Sequence, residues 1–413
     1  MSERLKILIS AYACSPIRGS EPGMGWGFVK AISEHHDLWV ITEEEKFKSE
    51  IEAELERQPK LKEQVKFYYI PKVRHKTLRK IWPPSYYWFY KTWQKKAYEL
   101  ASQLHEEIQF DIVHQLNMVG FREPGYLWKL DVPFVWGPIG GMDILPWRFI
   151  HKLGTYGFFY HLGKNCYNLA QMKLMHRPRL AASKAKVLIA ATPDTQTAIK
   201  KLWNKDSEVI CEIGPPENIL NEHSIRKTDE PLRLVWCGLH VPRKALNLLL
   251  ESLTLVSPDV DWHLDIIGQG SRTKAWQNLA AKLNITDQCS FHGWVSRQES
   301  VSIMKKGHVF NITSLADLTS TVTLEAISQG LPVICLDHCG FSHVVTKDCG
   351  IKISIVSPKQ VQKDIAIAIQ QIYYNEPLRY GLAENAVKRA GDFSWDKKSK
   401  LLNSIYEDSV NST

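Results

Sequence analysis

Residues 317–334, DLTSTVTLEAISQGLPVI, contain the pattern that decides the fold. The apolar positions in the middle follow helical spacing, and Gly330 and Pro332 end that helix just before a short apolar run. A helix that leads directly into a buried strand is typical of a parallel sheet. Packing explains these apolar residues, but it does not explain Asp317 and Glu325, two acids eight positions apart. The two carboxylates therefore indicate a function near the start of the helix.

The same alternation of strand and helix patterns extends through the chain. Helical stretches separate nearly all of the apolar strand candidates, which predicts parallel sheets with helices on both faces. A polar stretch with three prolines, residues 212–231, divides the pattern into halves and is typical of a linker. The strand candidates are LKILIS, DLWVIT, VKFYYI, FDIVHQ, VPFVWG and AKVLIAA in the first half, and LRLVWCG, WHLDIIG, QCSFHG, HVFNIT, LPVICLD and GIKISI in the second.

Composition excludes several classes of protein. The chain has 413 residues, 44% of them hydrophobic and 23% charged, which suits two globular domains. No apolar run approaches the roughly 20 residues of a membrane helix, and the apolar run at the start is too short for a signal peptide, so we expect a cytoplasmic protein. The eight cysteines form no Cys-x-x-Cys pair, which argues against a zinc site. Nothing resembles a nucleic-acid-binding motif.

The net charge of +8 is concentrated in the first half of the chain. Residues 72–96 and 144–193 each hold eight Lys or Arg residues and no acid. Aromatic residues are interleaved with these basic residues at 81–93 and 156–162. Such a mixture suits the headgroup level of an anionic membrane surface. The alternative is a helix with aromatic residues in the core and basic residues in solvent.

Ligands of open α/β sheets bind at the carboxyl ends of strands, so the residues after each strand are candidates. A glycine-rich stretch with Gly23 and Gly25 follows the first strand and is expected to form an anion-binding loop. Arg243 and Lys244 open a helix, where cations are unfavourable unless an anion lies nearby. The start of the helix after Asp317 offers backbone amides to the same kind of ligand.

Four blocks of the second half have a characteristic order and spacing. They are Gly238 with Lys244 six residues later, IIGQGS at 266–271, FHGWVSRQE at 291–299, and Asp317-x7-Glu325 with EAISQGLPVI. This arrangement resembles the family 4 retaining glycosyltransferases, which have the GT-B fold. The first half matches more loosely, through its glycine-rich stretch and FDIVHQLN.

The resemblance implies two Rossmann-like domains that face each other across a cleft. We expect an acceptor-binding domain over residues 1–213 and a donor-binding domain over 214–392. The stretch FSWDKKSKLLNSIY resembles the family's last helix, so residues 393–413 should form a helix that packs back toward the first domain.

The resemblance also implies a role for each matching residue. Glu325 would bind the ribose hydroxyls of the donor nucleotide, Asp317 would reach toward the transferred sugar, and Lys244 would neutralise the diphosphate leaving group. Removal of Asp317 is then expected to leave nucleotide affinity nearly intact. The predicted donor-binding set is Gly23, Gly25, Gly238, Arg243, Lys244, Trp294, Ser320, Thr321 and Glu325, and the predicted acceptor-side set is Glu21, His114, Asn117, Gly140 and Asp143.

Several positions depart from the family pattern. Asp317 stands where the family usually has Glu, and Leu239 where it usually has Arg, a loss for which Arg243 could compensate. Residues 318–320 replace a Gly-Phe-Gly stretch, and His343 stands where a Glu is frequent. These differences concern the identity of the sugar more than the fold.

The function implied is metal-independent, retaining transfer of a sugar from a nucleotide diphosphate donor to a saccharide or lipid-linked acceptor. The process would belong to cell-surface polysaccharide or glycolipid biosynthesis, on the inner face of the membrane, with no cofactor. Asp259 and Asp261 form an Asp-x-Asp pair, but they lie in a turn into a strand and not near the donor stretch. Two alternatives are a nucleotide-sugar 2-epimerase and a non-catalytic protein that binds nucleotide sugars.

Overall fold

A computed structural model of the chain describes residues 4–73, 81, 85–216, 225–227 and 229–411. The chain forms two compact units. The first comprises Met1–Met142, Ala170–Gly214 and Ser394–Thr413, and the second comprises Asp143–Leu169 and Pro215–Phe393.

The sequence assigned all of residues 1–213 to the first domain, whereas the structure groups 143–169 with the second unit. Lys152 pairs with Glu251 at 3.0 Å, and Arg148 donates to the carbonyl of Val356 at 3.0 Å. These contacts join residues far apart in sequence, so they could not be read from local composition. Much of the predicted linker, 217–224 and 228, lies outside the described residues.

The first unit is built on a parallel sheet with the strand order β3-β2-β1-β4-β5-β6-β7. Its strands are β1 (Lys6–Ala11), β2 (Asp37–Glu43), β3 (Val65–Ile70), β4 (Ile112–Asn117), β5 (Phe134–Ile139), β6 (Val187–Ala190) and β7 (Glu208–Val209). The six strands predicted for this half are confirmed. The sequence missed β7 because two residues are too short for a recognisable apolar pattern.

The helices of the first half begin with α1 (Ser20–Ser33), α2 (Glu44–Arg57), α3 (Pro59–Gln64) and α4 (Ser85–Ile108). They continue with α5 (Gly154–Leu174), α6 (His176–Lys184) and α7 (Pro193–Trp203). The middle strands, such as β4 and β5, are buried at every position. Burial on both faces explains why these strands are almost continuous apolar runs.

The second unit is built on another parallel sheet, with the order β10-β9-β8-β11-β12-β13. Its strands are β8 (Leu232–Cys237), β9 (Trp262–Ile267), β10 (Cys289–Gly293), β11 (Val309–Ile312), β12 (Val333–Leu336) and β13 (Gly350–Ile353). Its helices are α8 (Leu246–Leu253), α9 (Thr273–Lys282), α10 (Arg297–Lys305), α11 (Thr321–Ser328), α12 (Cys339–Val344), α13 (Pro358–Tyr374) and α14 (Glu376–Gly391). The six strands predicted here are also confirmed.

The final helix, α15 (Trp395–Asn411), packs on α1 of the first unit. The rings of Trp395 and Phe28 meet edge to face, with centroids 5.6 Å apart. Near the other end of α15, the buried Tyr406 hydroxyl lies 2.7 Å from Nδ1 of His114. The predicted return of this helix to the first unit is therefore confirmed.

Each sheet has one place where the strand order reverses, and ligands of such folds bind at that place. In the first sheet it lies between β1 and β4, and in the second it lies between β8 and β11. The loops that follow β8 and β11 carry Lys244 and Asp317. Topology therefore brings these two candidate residues to the same edge of the second sheet.

Candidate functional site

A tight turn after β8 positions the two cations of the site. Residues Pro242–Lys244 form one 3-10 turn, and Ala245 has a positive φ of 46° before α8 begins. The sequence predicted that Arg243 and Lys244 open the helix itself, so this detail is corrected. Backbone contacts attach the turn to the loop after β11, because Leu315 N donates to the carbonyl of Arg243 at 2.8 Å.

The carboxylate of Asp317 lies between these two cations. Lys244 Nζ donates to Asp317 Oδ2, and Arg243 Nη1 lies 3.3 Å from Asp317 Oδ1. Arg243 also donates to the carbonyl of Ala316 at 2.7 Å. The side chains of Lys244 and Asp317 are mostly buried, with 9% and 15% of their surfaces exposed. The acid therefore pairs with both cations and leaves one positive charge in excess, and water screens its pair with Lys244 only weakly.

The start of α11 lies beside this ion group. Ser320, the N-cap residue, has a positive φ of 64°, and its hydroxyl accepts from Lys244 Nζ at 3.3 Å. The structure confirms the predicted helix that begins at Thr321. The backbone of Asp317 is also fixed, because its N–H donates to Cys339 Sγ at 3.3 Å. The loop thus brings Ser320 and Asp317 to the same ammonium group.

Glu325 lies in α11 and is buried. Its Oε1 accepts from Arg297 Nε at 2.9 Å, although 68% of the Arg297 side chain is exposed. Burial raises the pKa of Glu325, and the charge and hydrogen bond of Arg297 oppose that effect. A buried carboxylate with an exposed cationic partner is suited to receive hydroxyl groups from a ligand.

Two other predicted donor residues have different surroundings. Gly238 directly follows β8, and a Cβ there would make only ordinary contacts, 3.5 Å from the ring of Trp236 and 3.6 Å from Lys244 Cε. Trp294 follows β10, and 73% of its surface is exposed. The exposed ring of Trp294 is available to a ligand. At Gly238, no close neighbour in the protein requires the absence of a side chain.

The glycine-rich stretch of the first unit is not a loop, and this expectation is wrong. Gly23 and Gly25 lie inside α1, which begins at Ser20. A Cβ on Gly25 would lie 2.2 Å from the carbonyl oxygen of Ala13, and one on Gly23 would lie 2.4 Å from that of Arg18. These glycines let the helix pack closely against the chain after β1.

Two predicted acceptor-side residues meet at the switch point of the first sheet. Glu21 is half-buried, desolvation raises its pKa, and its Oε1 accepts from Val119 N at 2.7 Å. Asn117 bridges to Ala13, whose N–H donates to Asn117 Oδ1 at 3.2 Å. Glu21 therefore joins the start of α1 to the chain after β4, and Asn117 joins the end of β4 to the chain after β1.

Of the other three acceptor-side predictions, Gly140 lies at the same place, because its N–H donates at 2.7 Å to the carbonyl of Val119, whose own N–H donates to Glu21. His114 is fully buried, and its two nitrogens bond Tyr406 Oη and, at 2.8 Å, Gly137 O. Burial lowers the pKa of His114 to about 4, so the ring is neutral at pH 7. Gly140 pairs with Gly120 in an isolated bridge, and Asp143 belongs to the second unit. The structure therefore gives His114 a packing role.

Sequence reasoning missed Arg297. The signal was available, because Arg297 is the first residue of α10, where a cation is unfavourable to the helix dipole. The same argument had been applied to Arg243 and Lys244.

Among the described residues, no three His, Cys, Asp or Glu side chains are grouped so that they could share a metal ion. Asp259 accepts hydrogen bonds from Ser257 and, at 2.5 Å, from the hydroxyl of Tyr374. These contacts place it at the surface of the turn before β9.

Residues 220–389 match the sequence family described as Glycosyl transferases group 1. That part of the chain is a glycosyl transferases group 1 domain. A D-inositol 3-phosphate glycosyltransferase of Corynebacterium aurimucosum is 26% identical over 223 residues, which are 50% of this chain and 52% of the relative. The chain spans about half the length of the curated relatives that it matches.

Two solved structures share the fold over nearly the whole chain. The apo form of the lipopolysaccharide outer core galactosyltransferase WaaB superposes with a TM-score of 0.67 at 15% identity, covering 99% of both chains. HepE from Anabaena, in complex with UDP, superposes with a TM-score of 0.61 at 15% identity, covering 98% of this chain and 100% of the other. Identities this low show the fold alone, which is the GT-B fold.

Proposed function

We propose that the protein is a glycosyltransferase that moves a sugar from a nucleotide diphosphate donor to a saccharide or lipid-linked acceptor. The observation that carries the proposal is the group of Lys244, Arg243 and Asp317 at the switch point of the second sheet, followed by the buried Glu325 on α11. The family match over residues 220–389 and the UDP bound to HepE support the same donor class.

The chemistry of the donor follows from the charges. Sugar transfer leaves negative charge on the departing diphosphate, and preorganised cations stabilise that charge in the transition state. Lys244 and Arg243 would serve the diphosphate, Glu325 would accept hydrogen bonds from the ribose diol, and Asp317 would face the transferred sugar. With two side-chain cations available, we propose that transfer needs no metal and retains the configuration at the anomeric carbon.

The test begins with binding and then follows the product. A thermal-shift panel of UDP-, GDP-, ADP- and TDP-sugars should show one clear stabilisation, about 2.7 kcal/mol at 100 times the dissociation constant. The preferred donor should then release its nucleotide only with transfer or slow hydrolysis of the sugar. Glu325→Ala should weaken binding of the bare nucleotide, and Lys305→Gln, an exposed change on α10, should not.

Other products would identify another function. Conversion of the sugar while it stays attached to the nucleotide would identify an epimerase. Binding without any transfer or hydrolysis would identify a non-catalytic protein, an idea supported by Leu239, where the family usually has Arg. Absence of binding to every nucleotide sugar would refute the proposal.

We further propose that the acceptor is reached at an anionic membrane surface on the cytoplasmic side. Helix α5 exposes Tyr156, Tyr160 and Tyr167 along one face, with 79%, 52% and 65% of their surfaces accessible. Lys164 lies over the ring of Tyr160, 6.0 Å from its centroid. Within the part of the chain that the structure describes, none of the helices combines the length and the apolar character of a membrane span. A surface contact of this type needs only aromatic and basic groups.

In the other basic stretch, 72–96, the residues Arg74, Lys76, Arg79, Lys80 and Trp82 lie outside the described residues. The membrane proposal is tested by sedimentation with phosphatidylglycerol vesicles and with neutral phosphatidylcholine vesicles at low salt. Changing Tyr156, Tyr160 and Tyr167 together to Ser should abolish most binding to the anionic vesicles. The same change at the exposed Leu255, Ile367 and Leu401 is the control. Equal binding of both variants would refute the proposal.

A further inference from the structure

Arg297 occupies a position that its own helix does not favour. It is the first residue of α10, directly after the N-cap Ser296, whose hydroxyl accepts from Glu299 N at 3.2 Å. The unpaired N–H groups of a helix start repel a cation. Local structure therefore gives no reason for an Arg here.

The reason lies in α11, 28 positions further along the chain. Arg297 Nε donates to Glu325 Oε1 at 2.9 Å. Only Oε1 is used, because Glu325 Oε2 makes no hydrogen bond to the described part of the chain. One carboxylate oxygen is held by the protein, and the other keeps two lone pairs that can accept from the hydroxyls of a ligand.

We propose that Arg297 is a positioning residue for the donor site, which orients Glu325 and keeps it ionised so that it accepts both hydroxyls of a ribose diol. The inference rests on the proposed function, because it assigns Glu325 to the ribose. A neutral carboxylic acid would offer one acceptor fewer and would need to donate a proton elsewhere. The ion pair therefore prepares the site before the nucleotide arrives.

The surroundings leave this task to Arg297. Glu325 is buried enough that its pKa is raised, and Arg297 opposes that rise. Cys237 also faces Glu325, and burial raises the pKa of this thiol to about 11, so it is uncharged at pH 7. The charge of Lys244 lowers the pKa of Cys237, but Lys244 is paired with Asp317 and not with Glu325.

The neighbouring helices α12 and α14 bring His343 and Arg389, whose contacts lie elsewhere. Arg389 donates to the carbonyls of Val344 and His343 and pairs with Asp392, and the His343 ring meets Phe393. No other cation of the described chain is paired with Glu325.

The experiment compares a ribonucleoside diphosphate with its 2′,3′-dideoxy analogue. The probe is whichever of UDP, GDP, ADP and TDP binds the unchanged protein most tightly, measured by calorimetry from pH 5 to pH 8. TDP lacks the 2′-hydroxyl, so if it is preferred the comparison uses its 3′-deoxy form. Arg297→Gln removes the guanidinium, Arg297→Lys keeps the charge, and Lys305→Gln removes an exposed cation from the same helix.

Arg297→Gln should weaken binding of the hydroxylated nucleotide roughly three- to tenfold near pH 6 and less at pH 8, the modest size reflecting an exposed guanidinium. Without Arg297 the Glu325 carboxyl takes up a proton at a higher pH. As the pH is lowered, Arg297→Gln therefore begins to lose affinity at a higher pH than the unchanged protein does. The dideoxy analogue should bind the unchanged protein and Arg297→Gln equally. Arg297→Lys should recover part of the affinity, and Lys305→Gln should behave like the unchanged protein.

Two results would overturn the inference. One is an Arg297→Gln protein that binds the hydroxylated nucleotide with unchanged affinity and pH dependence. The other is an equal loss for both nucleotides, which would indicate a structural defect of α10. If the unchanged protein binds none of the four nucleotides, the proposed function itself fails, and the assignment of Arg297 fails with it.

Discussion

Replacing Asp317 with Asn should tighten the binding of a nucleoside diphosphate while it slows sugar transfer. The family resemblance alone predicted nearly unchanged affinity. The structure changes that expectation, because Asp317 already binds the two cations assigned to the diphosphate. A ligand must share those cations with the carboxylate or displace it. Asparagine keeps the size of the side chain and removes the competing charge.

The magnitude can be bounded from the geometry. At the 3.3 Å between Arg243 Nη1 and Asp317 Oδ1, a pair of unit charges interacts by about 5 kcal/mol with an effective dielectric constant of about 20. Desolvation of both partners cancels most of such a gross energy. We expect a net gain of about 1–2 kcal/mol, which is roughly five- to thirtyfold in affinity at 25 °C.

The assay is calorimetric titration of Asp317→Asn with the preferred nucleoside diphosphate and with inorganic pyrophosphate, at low and high salt. Both ligands should bind more tightly than they bind the unchanged protein, and the gain should shrink as salt increases. Asp317→Glu is the matched control, since it restores a carboxylate that is one methylene longer. Equal or weaker binding by Asp317→Asn would refute the competition argument.

Three further predictions concern turnover, packing and pH. Lys244→Ala should lower kcat by ~10² to 10³ because charge grows on the leaving group, and activity should persist in EDTA; a change in KM alone would contradict this role. Gly27→Ala should lower the free energy of unfolding by about 1–3 kcal/mol, because its Cβ would lie 2.1 Å from the Trp395 ring. Gly163→Ala is the control, since a Cβ at Gly163 meets open space and should not destabilise the protein. Urea unfolding measures both. Between pH 7 and pH 5 the unchanged protein should lose about 1–2 kcal/mol more of its free energy of unfolding than His114→Gln does. The reason is that His114 has a pKa of about 4 in the folded protein and takes up a proton in this pH range only when the chain unfolds. Equal losses in the two proteins would contradict this.

The strands and their order of appearance were predictable because burial on both faces leaves a local signature. Runs such as KILISA and IVHQLN are apolar enough to be recognised one at a time. The start of α1 was not predictable in the same way, because glycines suit both a loop and a crowded helix. The crowding that requires a glycine at position 27 comes from the ring of Trp395, near the other end of the chain.

The candidate site shows the same division between local and distant information. Asp317 and Glu325 could be singled out because their helix did not need them. Their partners could not be assigned, because Lys244 and Arg297 are separated from them by 73 and 28 positions in sequence. From the sequence, the replacement of the family's usual Glu by Asp317 indicated only a carboxylate that reaches less far toward the sugar. The structure adds its contacts to Arg243 and Lys244.

These contacts share one electrostatic logic. Arg243, Lys244 and Arg297 each lie just before or at the start of a helix, where the backbone disfavours positive charge, and each is paired with a carboxylate. Without a ligand, three cations face two acids, so the group keeps a positive excess while every charge has a partner. The diphosphate of a nucleotide would bind the excess positive charge and replace the carboxylates as the partner of the cations. The acids therefore have a second task, which is to hold the cations in place until the donor binds.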